Sequence, residues 1–160
     1  MKRIATIIAA MLVCAASFAQ SGKDIYNKFS DKPKVSAVYI SPSMFRLMGR
    51  LPEIDMPEDD IDIAPVVKEL SGMYIIDSES KKVNAALKTE VDKFLKSGKF
   101  ELLLEAREDG ELVRIYTSGD EQTVTSFVMT SVEKDESVFV CLEGRIGRAD
   151  LEKLIASSVK

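Results

Sequence analysis

Alternation of apolar and polar residues dominates the second half of the chain and predicts four strands there. The predicted strands are residues 100–108, 111–118, 122–133 and 137–146. Asp109-Gly110 separates the first two, and this dipeptide is typical of a tight hairpin. We therefore expect the four strands to follow one another as an antiparallel meander.

The last of these strands, SVFVCLEGRI, is apolar on both of its faces. Phe139 and Cys141 share one face, whereas Val138, Val140 and Leu142 share the other. A strand that is apolar on both faces is typical of the centre of a sheet. We predict that Cys141 lies in the core as a small hydrophobic side chain. A nucleophile or a dimer-forming thiol is the alternative interpretation of Cys141.

Helical spacing predicts amphipathic helices around these strands. The clearest apolar stripe runs from Val83 to Leu95, and Gly98 provides a stop signal behind it. Ser41 and Pro42 form a good helix start for residues 42–51. Shorter or weaker helices are predicted at residues 21–31, 64–72 and 147–159, and two further strands at residues 34–41 and 73–77.

The resulting order is α-β-α-α-β-α-β-β-β-β-α, which predicts the α+β class. We expect a mostly antiparallel β-sheet packed by amphipathic helices in two layers. About 140 residues follow the first 19, which is enough for one domain with a single core. We predict that residues 20–160 form that single domain.

Residues 1–19 have the pattern of an export signal. Lys2 and Arg3 precede an apolar stretch that ends at Ala16, and Ser17-Phe-Ala19 is a small-x-small cleavage site. We expect cleavage before Gln20, a periplasmic or extracellular location, and no integral membrane segment afterwards. Lipid attachment at Cys14 and an uncleaved anchor are the alternatives. Val13 is bulky where lipoprotein processing requires a small residue, which disfavours the first of them.

Removal of the signal changes the charge of the chain. Two of the 22 basic residues and none of the 26 acidic ones are lost, so the net charge moves from −4 to about −6. This balance opposes nonspecific binding to nucleic acids. The chain contains no His, no Gly-rich phosphate loop and no Cys-x-x-Cys motif. We therefore predict no catalytic, cofactor-binding or metal-binding residue, although an enzyme based on Lys or paired carboxylates stays open.

A segment with three prolines and six carboxylates, residues 51–65, is predicted to be a loop. A solvated charged loop is the favoured interpretation, and a Ca²⁺ site or a docking site for a basic partner are the alternatives. The glycine turn and terminal Glu of a calcium-binding helix-loop-helix are missing. The six acidic residues are Glu53, Asp55, Glu58, Asp59, Asp60 and Asp62.

Four methionines could form an adaptable hydrophobic surface, but methionines at helical spacing are more often part of a core. We favour the core interpretation for Met44, Met48, Met56 and Met73.

The stretches KFELLLEAREDGELVRIY and TSFVMTSVEKDESVFVCLEGRI, followed by GRADLEKLI, resemble a bacterial envelope family, the domain of unknown function 4252. The early VSAVYISPSMFRLMG is similar to that family's first strand and helix. Gly144, Ile146, Asp150 and Leu154 occupy comparable places in the ending, whereas Arg148-Ala149-Asp150 departs from a shorter turn. The resemblance implies a secreted or periplasmic protein of the Bacteroides lineage. It implies no catalytic residues, because none are established for the family.

The leading hypothesis is a non-enzymatic exported envelope protein that binds an unidentified protein partner, with a role in envelope stress signalling or assembly. The alternatives are a small-ligand-binding periplasmic protein and, with less support, a carboxylate- or Lys-dependent enzyme. The sequence indicates neither the partner nor the oligomeric state.

Overall fold

A computed structural model describes residues 20–48, 69–150 and 152 of the chain. Its centre is a six-stranded antiparallel sheet with the order β1-β2-β6-β5-β4-β3. β1 and β3 are therefore the two edge strands, and β2 and β6 join the first half of the chain to the second. The strands are β1 (Val35–Ile40), β2 (Leu70–Ser78), β3 (Glu101–Glu108), β4 (Glu111–Gly119), β5 (Thr123–Val132) and β6 (Ser137–Gly147).

Three helices accompany the sheet in the described residues. They are α1 (Gly22–Phe29), α2 (Pro42–Met48) and α3 (Lys81–Ser97). Residues 148–150 and 152 are also helical, directly after β6. The α+β class and the mostly antiparallel sheet are thus confirmed.

The helix ends follow their local chemistry. Ser21 and Asp24 form a reciprocal capping box at the start of α1, in which each side chain accepts from the backbone N–H of the other. The N–H of Met44 donates to the hydroxyl of Ser41 at 3.3 Å, so Ser41 caps α2 as predicted. α3 ends at Ser97, and Gly98 follows as its C-cap, again as predicted.

The main core lies on the face of the sheet that carries α1 and α3, which we call the helix face. Ile25 of α1 and Phe94 of α3 are buried there against Ile76 of β2 and Phe139 of β6. These side chains share one face because residues directly opposite in register, such as Ile76 and Phe139, point the same way.

A smaller core lies on the opposite face of the sheet, which we call the open face. It contains Phe45 of α2 with Val124 and Ile146, and the half-buried Met73 and Leu142 pack against it. Met73 and Leu142 alternate with Tyr74 and Cys141 along their strands, which places them on the face away from α1 and α3.

β6 is a central strand, as its two apolar faces predicted, because β2 and β5 flank it. The Asp109-Gly110 hairpin is confirmed as well. Both turn residues have positive φ, 46° and 92°, and Glu108 pairs with Glu111 across the turn. Positive φ at both central residues is the backbone of a type I′ turn.

The helix predicted over residues 64–72 is wrong at its C-terminal end, because β2 already begins at Leu70. Leu70 pairs with Gly144, and Gly72 pairs with Glu143 across a bulge. Pairing with a strand more than 70 residues away therefore decides the backbone conformation of residues 70–72. Residues 64–68 lie outside the described part of the chain.

The core interpretation is also wrong for Met44, which is 48% exposed. α2 turns Phe45 inward, so the neighbouring Met44 lies on its outer side. Met73 is half-buried in the smaller core. The side chains of Met48 and Met56 lie outside the described part of the chain.

Candidate functional site

Four features of the described residues could carry function: the surroundings of Cys141, a cavity under α3, an acidic end of the sheet, and exposed apolar side chains near both edge strands. The acidic residues from Glu53 to Asp62 lie outside the described residues. No sequence-predicted metal or catalytic residue exists to be placed, so the candidate site is built from these four features.

Cys141 lies fully buried on the helix face beneath the first turn of α1. Its Sγ is 3.8 Å from the hydroxyl of Ser126 and 4.0 Å from Oε1 of Glu143. Burial, and then the charge of Glu143, raise the pKa of the thiol to about 12. The thiol is therefore protonated at neutral pH, the opposite of what a nucleophile needs.

Glu143 links this region to the start of α1. Its Oε1 accepts from the backbone N–H of Gly22 at 2.8 Å, which places a carboxylate at the positive end of the helix. The same carboxylate, after burial, raises the pKa of Tyr74 to about 12. Tyr74 in turn stacks on Tyr39 with ring centroids 5.2 Å apart. We interpret this cluster as the attachment of α1 and β1 to the sheet.

A cavity of about 90 Å³ lies between α3 and the β4–β5–β6 part of the sheet. Its walls are mainly apolar, and Leu87, Val91 and Tyr116 are among them. Lys88, Asp92 and Arg114 also line it. The volume is well below the roughly 300–1,000 Å³ that is typical of metabolite sites. The cavity therefore offers room for only a very small apolar molecule.

One end of the sheet gathers carboxylates. The pKa of Glu136 is raised first by charge repulsion from Asp77 and then by desolvation. Weaker repulsion comes from Glu133, Glu79 and Glu111. Across residues 20–48, 69–150 and 152, no group of three or more acidic, Cys or His side chains has the geometry to hold a metal ion. The acidic end is interpreted as a charged surface.

Two surfaces expose large apolar side chains. The first, the β1–α2 surface, consists of Val38, Met44 and Leu47 on the open face, each 47–57% exposed. The second is the β3 edge, Glu101–Glu108, where every residue is exposed. It contains three consecutive leucines, Leu102, Leu103 and Leu104, at 45–57% exposure.

Charged side chains on the helix face of β3 and β4 form a small network. Glu105 accepts from Arg114 at 2.8 Å and from Arg107 at 3.0 Å. These two guanidinium groups, Arg114 first, hold the pKa of the Glu105 carboxyl below its usual range. The β3 edge thus combines a fixed charge pair with exposed leucines.

Sequence reasoning predicted neither surface, and a hydrophobic surface was only the alternative interpretation for Met44. The signal at β3 was present, since three consecutive leucines must place an apolar side chain on each face of a strand, whatever its register. At α2, Phe45 is the residue that packs into the smaller core, so Met44 and Leu47 point outward, and the sequence did not indicate which face of this helix is buried.

Within the described residues, no helix combines the length and the apolar composition needed to cross a membrane. The fold is that of an α+β domain with helices on a six-stranded antiparallel sheet. The chain matches the family described as Domain of unknown function (DUF4252) over residues 26–154, and it belongs to that family. No curated protein and no solved structure matches it.

Proposed function

We propose that this chain is an exported, non-enzymatic envelope protein that acts by binding another protein, with a role in envelope stress signalling or assembly. The observation that carries the proposal is the β1–α2 surface. Its three exposed side chains lie on two consecutive elements that only Ser41 separates. Met is enriched in protein interfaces, and Met44 lies on this surface.

The fold explains why these side chains stay outside. Phe45 turns inward into the smaller core and fixes α2 on the open face of the sheet. Met44 and Leu47 are then directed away from that core and are 48% and 57% exposed. Val38 lies on the same open face, because it is opposite Ile75 in register. An apolar surface of this kind supports recognition of a partner with a complementary apolar patch.

Site-specific photocrosslinking in producing cells tests the proposal. A photoreactive amino acid at Leu47 should give a discrete crosslinked adduct, whereas the same amino acid at the exposed Lys93 of α3 should not. Absence of an adduct at Leu47, Met44 and Val38 under conditions where the protein is abundant would overturn the role of this surface.

Export is supported by the pattern of residues 1–19 and is tested by mass spectrometry of the protein from producing cells. The expected N-terminus is Gln20, free or cyclised, without acyl chains. Detection of a lipid-modified Cys14 would show that the protein is anchored to the membrane and would contradict cleavage before Gln20.

Carriage of a very small apolar ligand is a second candidate, which the cavity beneath α3 supports. Its volume of about 90 Å³ is smaller than the roughly 150 Å³ engineered cavity that admits benzene, so we rank it below protein binding. Native mass spectrometry of freshly purified protein would reveal a bound molecule as added mass.

For the enzyme alternative, robust turnover on a panel of ester, peptide, phosphate and glycoside substrates would displace the leading proposal.

A further inference from the structure

The outer side of β3 is an open sheet edge. β3 pairs with β4 on one side, and among the described residues no strand pairs with it on the other. All eight of its residues are exposed. An exposed edge of this length presents unpaired backbone N–H and C=O groups, which are a template for another strand.

A bulge divides this edge into two parts. Leu102 pairs with Tyr116 and Leu104 pairs with Ile115, so Leu103 is an extra residue in β3. Leu104–Glu108 runs from the bulge to the hairpin turn without interruption. Pairing of another strand is therefore favoured over Leu104–Glu108 and disfavoured beyond Leu103.

Charges alternate with small or apolar side chains along this regular part. Glu105 and Arg107 lie on the helix face, opposite Arg114 and Leu112 of β4. Leu104 and Ala106 lie on the open face, opposite Ile115 and Val113. The segment therefore has one charged face and one apolar face, with opposite charges two residues apart.

We propose that β3 pairs with β3 of a second copy of this chain, antiparallel and centred on Ala106. A two-fold axis perpendicular to the sheet places one residue opposite its own copy. Centring on Glu105 or Arg107 would oppose like charges directly, and centring on Leu104 would carry the pairing into the bulge. Centring on Ala106 places Glu105 of each copy opposite Arg107 of the other.

The same register suits the open face. Ala106 meets its own copy at the axis, where a small side chain fits, and Leu104 lies diagonally beside Ala106 of the second copy. The apolar strip formed by Ile115, Val113, Leu104 and Ala106 would then continue across the axis, and the two sheets would join into one continuous sheet. This proposal is independent of the β1–α2 surface.

Charge reversal tests the pairing in solution. The purified protein should show a concentration-dependent monomer–dimer equilibrium in sedimentation velocity. Arg107→Glu alone and Glu105→Arg alone should each weaken the dimer at least tenfold, since each puts like charges opposite one another. An equimolar mixture of the two variants should restore a dimer, because both cross-axis pairs are then complementary. Lys96→Glu, an equal change of charge on exposed α3 surface, should leave the dimer unchanged.

Cysteine crosslinking tests the register without relying on charge variants that could disturb folding. Ala106→Cys should form a disulfide-linked dimer under mild oxidation, whereas Leu102→Cys should not, because the two copies of residue 102 would be about 26 Å apart. Cys141 is buried and stays in place in both. A protein that is monomeric at all concentrations, a dimer that ignores both charge variants, or equal crosslinking at residues 102 and 106 would each overturn the proposal.

Discussion

The two edge strands of the sheet are held in different ways. β1 has six residues, and Val35 and Ala37 pack against the main core while Tyr39 stacks on Tyr74 and contacts Tyr26 of α1. β3 has eight residues, all exposed, and its register with β4 contains a bulge. One edge is thus attached through side chains and a covering helix, and the other mainly through backbone pairing.

This difference predicts where substitutions matter. The stability of the β1 side depends on buried contacts between α1 and the sheet, so truncation there should lower the free energy of unfolding substantially. The β3 side depends on a strand ladder and on its turn, so truncating its side chains should cost little. The two sides should therefore differ most where a large side chain is removed.

The largest effect is expected from a matched pair of truncations. Ile25→Ala removes a fully buried α1 side chain and should lower the free energy of unfolding by about 3 kcal/mol. Leu103→Ala, on the exposed β3 edge, should change it by less than about 0.5 kcal/mol. Urea unfolding at low protein concentration measures both. A cost above about 1.5 kcal/mol for Leu103→Ala would mean that the β3 edge is buried in the protein in solution.

A second prediction concerns the packing of α1 on the sheet. A Cβ at Gly22 would lie 2.5 Å from Sγ and 2.9 Å from Cβ of Cys141, so Gly22→Ala should cost about 1–3 kcal/mol. Because the clash includes the sulfur, the double variant Gly22→Ala/Cys141→Ala should cost less than the sum of the two single variants. Thermal unfolding of the four proteins gives the coupling. Strict additivity would show that α1 shifts away instead of pressing on Cys141.

The turn of the β3–β4 hairpin should show a smaller, purely conformational effect. Gly110 has φ +92°, and an added Cβ would meet nothing within 4 Å, so only the backbone disfavours a side chain there. Gly110→Ala should cost about 1–2 kcal/mol, and Gly110→Asn should cost less because Asn tolerates positive φ better. Equal costs for Ala and Asn, measured by urea unfolding, would contradict this origin.

The smallest effect is expected for an ion-pair link between α1 and α3. Glu90 accepts from Lys93, Lys28 and Gln20, and these contacts, Lys93 first, lower the pKa of its carboxyl to about 2. A lowered folded-state pKa stabilises the protein above the ordinary carboxyl pKa, and the contribution disappears as the pH falls towards 2. Since both lysines are more than half exposed, Glu90→Gln should cost only about 0.5–1 kcal/mol at pH 7.

Urea unfolding from pH 7 to pH 2 checks this. The difference between the unmodified protein and Glu90→Gln should shrink below about pH 4.5 and approach zero near pH 2. Glu121→Gln, at an exposed loop position, provides the control and should show a smaller difference at pH 7. A difference for Glu90→Gln that stays constant over the whole range would exclude the carboxylate charge as its cause.

Local periodicity predicted much of the fold, because the main elements carry their own signals. The apolar stripe from Val83 to Leu95 correctly predicted α3, and the Asp109-Gly110 turn correctly predicted the β3–β4 hairpin. The capping box of Ser21 and Asp24 also has a local signature, the spacing Ser-x-x-Asp before an apolar stripe.

Distant pairing decided what local patterns could not. The start of β2 at Leu70 follows from its partner Gly144, and the position of β2 between β1 and β6 has no local signature. The candidate surfaces could not be predicted from the sequence for a related reason. Leu47 is exposed because Phe45 occupies the buried face of α2, and Leu103 is exposed because β3 is at the edge of the sheet, and neither is a property of the residue itself.

The sheet order has a consequence for how the chain acquires its fold. β3, β4 and β5 each pair with the next strand along the chain, so the meander from β3 to β6 can form quickly from short-range contacts. β2 must wait for β6, the last of the described strands to be synthesised, before Ile76 and Tyr74 gain their central neighbours. Until residues 137–147 have emerged, β1 and β2 have no completed sheet to join. The N-terminal half is therefore the part that most needs protection from aggregation during synthesis.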